Sequence, residues 1–204
     1  MIPSRKELEK SQRRHLLLEA ASRVFGRKPF DEASMQEVAA EAQIGMQGLY
    51  EQFPSKQALY EQVILARALA FQAKAERILS AGGAPLEMLR GLALAYADQF
   101  RERPMHLPMF IRDRVQFDWG FDSRFMPRLR EVYEAERSRL KALLSQAIAA
   151  GQLLDLDADF LTQLCFGVLE ASLYHSHRNR SEEPADACVG RAMGCFLRAA
   201  GAQP

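Results

Sequence analysis

Little in this composition speaks of covalent or metal-held structure. Only 3 of the 204 residues are cysteine, an odd number that suggests no disulfide framework, and burial as small hydrophobes is the default place for such thiols. Cys188 and Cys195 stand seven apart on one helical stretch, too far along its axis to pair. No apolar run approaches the roughly 20 residues that a membrane helix needs. The opening stretch, MIPSRKELEKSQRRH, is charged where a secretory signal would be apolar. A cytoplasmic chain with no membrane partner is expected. There is no nucleophile triad, no glycine-rich phosphate loop and no zinc-ligand spacing. His175 and His177, two apart, diverge on a helix and cannot readily share a metal. No enzyme, cofactor or metal site is indicated. Internal repeats and low-complexity segments are missing too, and nothing reads as a strand.

What is present is helical periodicity over a hydrophobic content of 48%, enough to bury a real core. Leu17, Ala20, Ala21, Val24 and Phe25 predict a first helix over residues 7–27, ended by Pro29. Leu59, Val63, Ala66, Ala70 and Ala73 predict a long helix that stops at Gly82-Gly83 and links two parts of the chain. Leu89, Ala93, Tyr96 and Phe100 mark the next helix. Further patterns run from Leu129 to Ala147, from Leu161 to Tyr174 and from Cys188 to Leu197. The expected fold is all-α with about nine helices. Its three-helix amino-terminal domain, residues 1–53, is too small to bury much core alone, and residues 54–204 form a larger helical domain, with the helix over about 55–80 joining the two.

Charge is balanced overall, at +1, but not along the chain. Residues 1–28 hold eight cations against Glu7, Glu9 and Glu19, a surplus of five. As a group, Arg5, Lys6, Arg13 and Arg14 are candidate phosphate or minor-groove contacts.

Beside this basic end lies SMQEVAAEAQIGMQGLYEQFPSKQALY, residues 34–60. Ser34 followed three residues later by Glu37 is a capping box and starts a helix. Val38, Ala39 and Ala42 give it an apolar face. Gln43-Ile44-Gly45 interrupts the pattern, and Leu49 and Phe53 restart it on a second short helix. Two short helices across a three-residue break predict a helix-turn-helix. The second presents Met46, Gln47, Gly48, Tyr50, Glu51 and Gln52. Gln pairs with adenine, Glu accepts from cytosine and Met covers a thymine methyl. Gly48, costly in a helix by about 1 kcal/mol, fits a close approach to a sugar-phosphate strand. Ser55 caps the following helix, and Lys56 beside its free amides suits an anion such as phosphate.

The run A-x-I-x-x-x-G-L-Y-x-x-F-x-S-K-x-x-L-Y, residues 42–60, resembles the DNA-binding motif of the TetR family of bacterial transcriptional regulators. The resemblance implies binding of a near-palindromic double-stranded DNA operator as a homodimer, usually as a repressor. Release follows when a small-molecule effector enters the helical carboxy-terminal domain. Position by position it places Ser34, Gln36, Met46, Gln47, Gly48, Tyr50 and Lys56 on DNA, Tyr50 and Lys56 chiefly on phosphates. Two positions depart from the family: Gln43 replaces a turn glycine, and Gly45 replaces a Ser or Thr cap, so that the reading helix starts loosely.

The carboxy-terminal part offers two further candidates. Apolar walls with few polar groups make a small-molecule pocket, and Met105, Phe110, Phe117, Trp119 and Phe125, with Tyr96, Phe100 and Tyr133, suit a hydrophobic or aromatic effector. The resemblance puts the family's effector cavity in the same region. Gly167 and Ala171, and Gly190 and Gly194, each four apart on one of the last two helices, align small residues on one face. The nearly all-apolar helix carrying the first pair needs burial on two sides. A two-fold interface with a second chain answers that need. The competing reading is a protein-interaction module on the same fold without sequence-specific DNA binding. The departures at Gln43 and Gly45 and the lack of a cation on the reading face speak for it; the basic first helix and Lys56 speak against it.

Overall fold

The computed structural model describes residues 4–101, 107, 127–179 and 183–202. Among them are eight α-helices: α1 (Arg5–Arg27), α2 (Met35–Ala42), α3 (Met46–Gln52), α4 (Lys56–Ala81), α5 (Pro85–Arg101), α6 (Pro127–Ala149), α7 (Ala158–Arg178) and α8 (Ala185–Ala199). No strand occurs among the described residues, and the architecture is the expected all-α one.

Local chemistry sets the boundaries. α1 begins two residues before its apolar stripe predicts, because Ser4 and Glu7 form a second capping box: the Glu7 amide donates to Ser4 Oγ at 3.3 Å and the Ser4 amide to the Glu7 carboxylate at 2.7 Å. Lys28, extended ahead of Pro29, ends it. Ser34 and Glu37 cap α2 reciprocally as expected. Ser55 Oγ accepts from the Ala58 amide at 3.1 Å to start α4, and Asp157 accepts from the Phe160 amide at 2.7 Å to start α7.

Two apolar clusters divide the molecule. The first gathers Leu17, Ala20, Ala21, Val24 and Phe25 of α1, Val38 and Ala39 of α2, Leu49 and Phe53 around α3, Leu59 to Ala68 of α4, and Leu129 and Val132 of α6. The second holds Ala75 at the far end of α4 with the buried faces of α5, the rest of α6, α7 and α8. The three-helix unit therefore does not close its own core. α4 and α6 each enter both clusters, so a shift of either helix in one is felt in the other.

The turn between α2 and α3 shows the cost of a departure from glycine. The Gln43 amide donates to Ala40 and the Ile44 amide to Ala39, a Schellman end that requires a left-handed residue. Gln43 takes φ 55°; the same hydrogen-bond pattern at the end of α6 is made by Gly151 at φ 69°. Left-handed backbone costs an L side chain about 1–2 kcal/mol, offset in part by the extra freedom a glycine gives the unfolded chain, about 0.5–1 kcal/mol. Gln43→Gly is therefore expected to raise stability by roughly 0.5–1 kcal/mol, read as a higher unfolding temperature, and Gln43→Val to lower it. A glycine variant no more stable than wild type would mean that the Gln43 side chain itself supports the turn.

Candidate nucleic-acid interface and ligand cavity

α3 is fixed from below and bare above. Leu49 and Phe53 are buried in the first cluster, and Ile44 and Met46 pack partly against it. Gln47, Tyr50 and Glu51 are exposed, as is Gln36 on α2. Tyr50 keeps 49% of its surface exposed. The Gln47 amide nitrogen donates to Glu51 at 3.1 Å. Gly45 offers no side-chain cap. Ser34 is half-buried in its capping box, and Gln52 is half-buried at the end of α3.

Three residues proposed from the sequence for DNA contact have other neighbours in the folded chain. A Cβ on Gly48 would lie 3.2 Å from Ile44 Cγ2 and 3.8 Å from an Arg13 guanidinium nitrogen. The missing side chain thus leaves room for Ile44 and Arg13 against α3. Arg14 turns inward: it donates to Gln62 at 2.8 Å and to the Gln52 carbonyl at 3.4 Å, and lies over the Phe53 ring at 4.5 Å. Lys56 Nζ donates to the carbonyls of Phe30 at 2.7 Å and Ala33 at 2.9 Å, with that of Asp31 at 3.4 Å.

The basic surplus of α1 is also partly neutralised. Arg5 pairs with Glu9, Lys28 with Glu37, and Arg23 and Arg27 with Glu41 at 2.7 and 2.6 Å. Lys6, Lys10 and Arg13 have no ion pair among the described residues. Of these, Arg13 lies against α3, beside Gly48.

The pairs between α1 and α2 have a pH signature. The Arg27 and Arg23 guanidiniums hold the Glu41 carboxyl below its ordinary 4.5, and Lys28, with the Ser34 amide and hydroxyl, does the same for Glu37. A depressed carboxylate stabilises the fold above its unfolded value and loses that effect as pH falls through the folded value. Glu41→Gln should therefore lower the unfolding temperature at pH 7, and its gap from wild type should close below about pH 4.5. A gap that persists at pH 3 would assign the effect to packing.

The second cluster contains a narrow cavity of about 30 Å³, room for about one water. Its walls are Phe71 and Leu79 of α4, Leu89, Leu92, Ala93 and Tyr96 of α5, Leu140 of α6, and Cys165, Phe166 and Leu169 of α7, with Glu136 and Arg139 as its charged members. Tyr96 meets Phe71, Phe100 and Phe166 edge-on, with centroids 5.3–6.1 Å away, and its hydroxyl donates to the buried Glu170 at 3.0 Å. Burial raises the Glu136 carboxyl above its ordinary range, against the opposing pull of Arg139. Arg139 also donates to Glu76 of α4 at 2.9 Å, so a polar tie between α6 and α4 stands at the edge of the cavity. Burial pushes the Cys165 thiol up to about 12, leaving it a wall rather than a nucleophile.

Of the residues proposed for the effector, Tyr96 lines this cavity and Phe100 backs it. Tyr133 packs instead against the first cluster, because the start of α6 belongs to the amino-terminal core. Met105, Phe110, Phe117, Trp119 and Phe125 lie outside the described residues. Phe71, Cys165 and Phe166 escape a reading of the sequence because apolar residues at helical spacing look alike; Glu170, an acid within the apolar stretch of α7, is the one available signal.

The small residues stand where a second chain can reach them. Gly167 and Ala171 are exposed on α7, and Gly190 and Gly194 half-exposed on α8. Phe160 and Tyr174, on the same stripe of α7, keep 57% and 47% of their surface exposed. Among the described residues, no helix is long and apolar enough to cross a membrane, and no cluster of His, Cys, Asp and Glu could hold a metal.

Residues 17–63 match the model of the bacterial regulatory proteins of the tetR family. No curated protein matches the chain, but solved structures share its fold. The transcriptional regulator FadR from Bacillus subtilis, solved in complex with stearoyl-CoA, superposes with a TM-score of 0.75 over 90% of this chain and 97% of its own, at 14% identity. The ketosteroid transcriptional regulator KstR2 of Mycobacterium tuberculosis gives 0.74 over 100% and 98%, at 20% identity. The TetR family transcriptional regulator PfmR from Thermus thermophilus gives 0.73 over 89% and 97%, at 21% identity. These are regulators rather than enzymes. Residues 17–63 thus carry the helix-turn-helix segment of the tetR family of bacterial regulatory proteins, and the chain as a whole shares the fold of solved TetR family transcriptional regulators.

Proposed function

We propose that the chain is a transcriptional repressor that binds a near-palindromic operator as a homodimer and releases it when a small apolar effector enters the second cluster. The observation that carries this reading is the bare face of α3, where exposed Gln47, Tyr50 and Glu51 stand over a buried Leu49, with Arg13 of α1 beside Gly48 and exposed Gln36 on α2, the other helix of the motif. Gln and Glu read base edges, while Tyr and the cations hold phosphates. The unpartnered faces of α7 and α8 supply the two-fold contact, through Gly167, Ala171, Gly190 and Gly194.

The cavity supports an apolar effector by its lining. FadR was solved with stearoyl-CoA, and KstR2 is a ketosteroid regulator; a lipid-like or polycyclic molecule suits these walls as well. At about 30 Å³ the space holds no such molecule until its walls part. α4 is one of those walls, and its other half lies in the DNA-binding core. Only a ligand that prefers the parted state shifts the equilibrium.

The test is footprinting on DNA flanking the coding region at a stated salt concentration, followed by a screen of acyl thioesters, steroids and aromatic compounds for release. A protected palindrome that a compound clears supports the reading. The alternative, a protein-interaction module, draws on the lack of any cation on α3 and on the departures at Gln43 and Gly45. No protection at low salt would favour it.

A further inference from the structure

Lys56 stands first in α4, where the sequence invites a phosphate contact, but its ammonium is surrounded by protein carbonyls. Its three protons face the carbonyls of Phe30, Ala33 and Asp31 at 2.7, 2.9 and 3.4 Å. The ammonium also lies 4.5 Å from the centre of the Phe30 ring, a favourable cation–π position. Phe30 in turn packs edge-on against Tyr60, itself a buried α4 residue one turn further on, at 5.0 Å. These carbonyls converge because residues 29–33 make a single helical turn: the amides of Glu32 and Ala33 both donate to Pro29. The turn therefore aims its last carbonyls one way and has no intrahelical donors for them. Lys56 supplies the donors. The next residue, Ser34, is the cap from which α2 starts.

We propose that Lys56 is a positioning residue and not a phosphate contact: it bolts the turn before α2 to the first turn of α4 and so fixes where Ser34 and Gln36 meet DNA. Arg14 is the matching bolt at the far end of the motif, joining the end of α3 to Gln62 of α4. The inference rests on the DNA-binding reading above. It goes beyond it by placing both ends of the reading motif on the helix that also walls the cavity.

The two roles for Lys56 separate by salt. A phosphate contact adds about 0.9 to the slope of log affinity against log salt concentration, whereas a positioning residue adds nothing to it. The experiment measures operator affinity across salt, and amide hydrogen exchange of the DNA-free protein, for wild type, Lys56→Met and Lys56→Arg. Both variants should bind the operator at least 10-fold more weakly with the wild-type slope. The amides of residues 32–38 should exchange faster in both. Keeping the charge in Lys56→Arg does not rescue binding, because a planar fork cannot address three converging carbonyls as an ammonium does. If Lys56→Met does not fold, Lys56→Arg carries the test alone. A slope reduced by about 0.9 in Lys56→Met, full binding by Lys56→Arg, or exchange unchanged over residues 32–38 would each overturn the proposal. A wild-type protein that protects no DNA overturns the regulator reading, and this inference with it. The exchange data on the free protein then still show whether the bolt exists.

Discussion

Gly194→Leu is expected to yield a chain that folds but no longer dimerises, and that loses specific DNA binding with an intact reading helix. Within one chain the glycine is not needed: a Cβ there would meet only the Arg198 guanidinium tip, at 3.6 and 3.9 Å, and Gly167 and Gly190 face open space. Each glycine inside a helix costs about 1 kcal/mol against alanine, so the monomer should be at least as stable as before. Between chains the case reverses. Extra side-chain volume in a close helix contact costs about 1–3 kcal/mol, and a two-fold interface meets the substitution twice. The dimer should weaken by about 2–6 kcal/mol, roughly 30-fold to more than 10⁴-fold. A monomer cannot hold two half-sites one DNA turn apart. Sedimentation at several concentrations, with operator titration on the same samples, is the measurement. A Gly194→Leu protein that remains dimeric and binds normally would remove this face from the interface.

Gln47→Ala should erase preference at one or two base pairs in each half-site. The side chain is exposed, and its hydrogen bond within the chain is to Glu51 at 3.1 Å; its loss leaves the core untouched, and alanine favours the helix. A lost bidentate adenine pair costs about 1–3 kcal/mol, and two half-sites double it. Selection from a randomised operator should show the relaxed positions, with an unchanged salt slope because no phosphate contact is removed. Glu51→Ala should produce a smaller loss, since Glu51 restrains the Gln47 amide in the free protein. A variant Gln47→Ala that selects the wild-type consensus would place base reading elsewhere, with Gln36 the next candidate.

How much is legible in the chain follows from the range of the forces involved. Capping boxes act over three residues, and apolar stripes repeat within a helix. Ser34 with Glu37, the break at Gln43-Ile44-Gly45, and the restart at Leu49 and Phe53 can therefore be read directly. Ser4 with Glu7 is an equally local signal, one that the apolar stripe of α1 does not contain. The strain at Gln43 is not legible in the residue itself: the resemblance marks the position as one where a turn glycine is usual, and the left-handed φ is a finding of the structure. The exposure of Gln47, Tyr50 and Glu51 follows from helical periodicity alone.

Partners distant in sequence are beyond such reading. Arg14 finds Gln62 across 48 residues, Lys56 finds the Phe30 carbonyl across 26, and Tyr96 finds Glu170 across 74. A cation near a DNA-reading motif has the same residue type and spacing whether it faces a phosphate or a carbonyl. Only the packing of α4 against the turn before α2 distinguishes them, because hydrogen bonding depends on ångström-scale distance and direction. Tyr133 makes the same point: its place on the amino-terminal core depends on where α6 enters that core, which no local pattern encodes. An all-helical chain, its helix-turn-helix and the exposure of Gln47, Tyr50 and Glu51 are local matters, since they rest on periodicity and caps. Which cations are engaged within the protein, which aromatics wall the cavity, and that α4 and α6 join both cores come from the packing of the helices, since these depend on contacts between residues far apart in the chain.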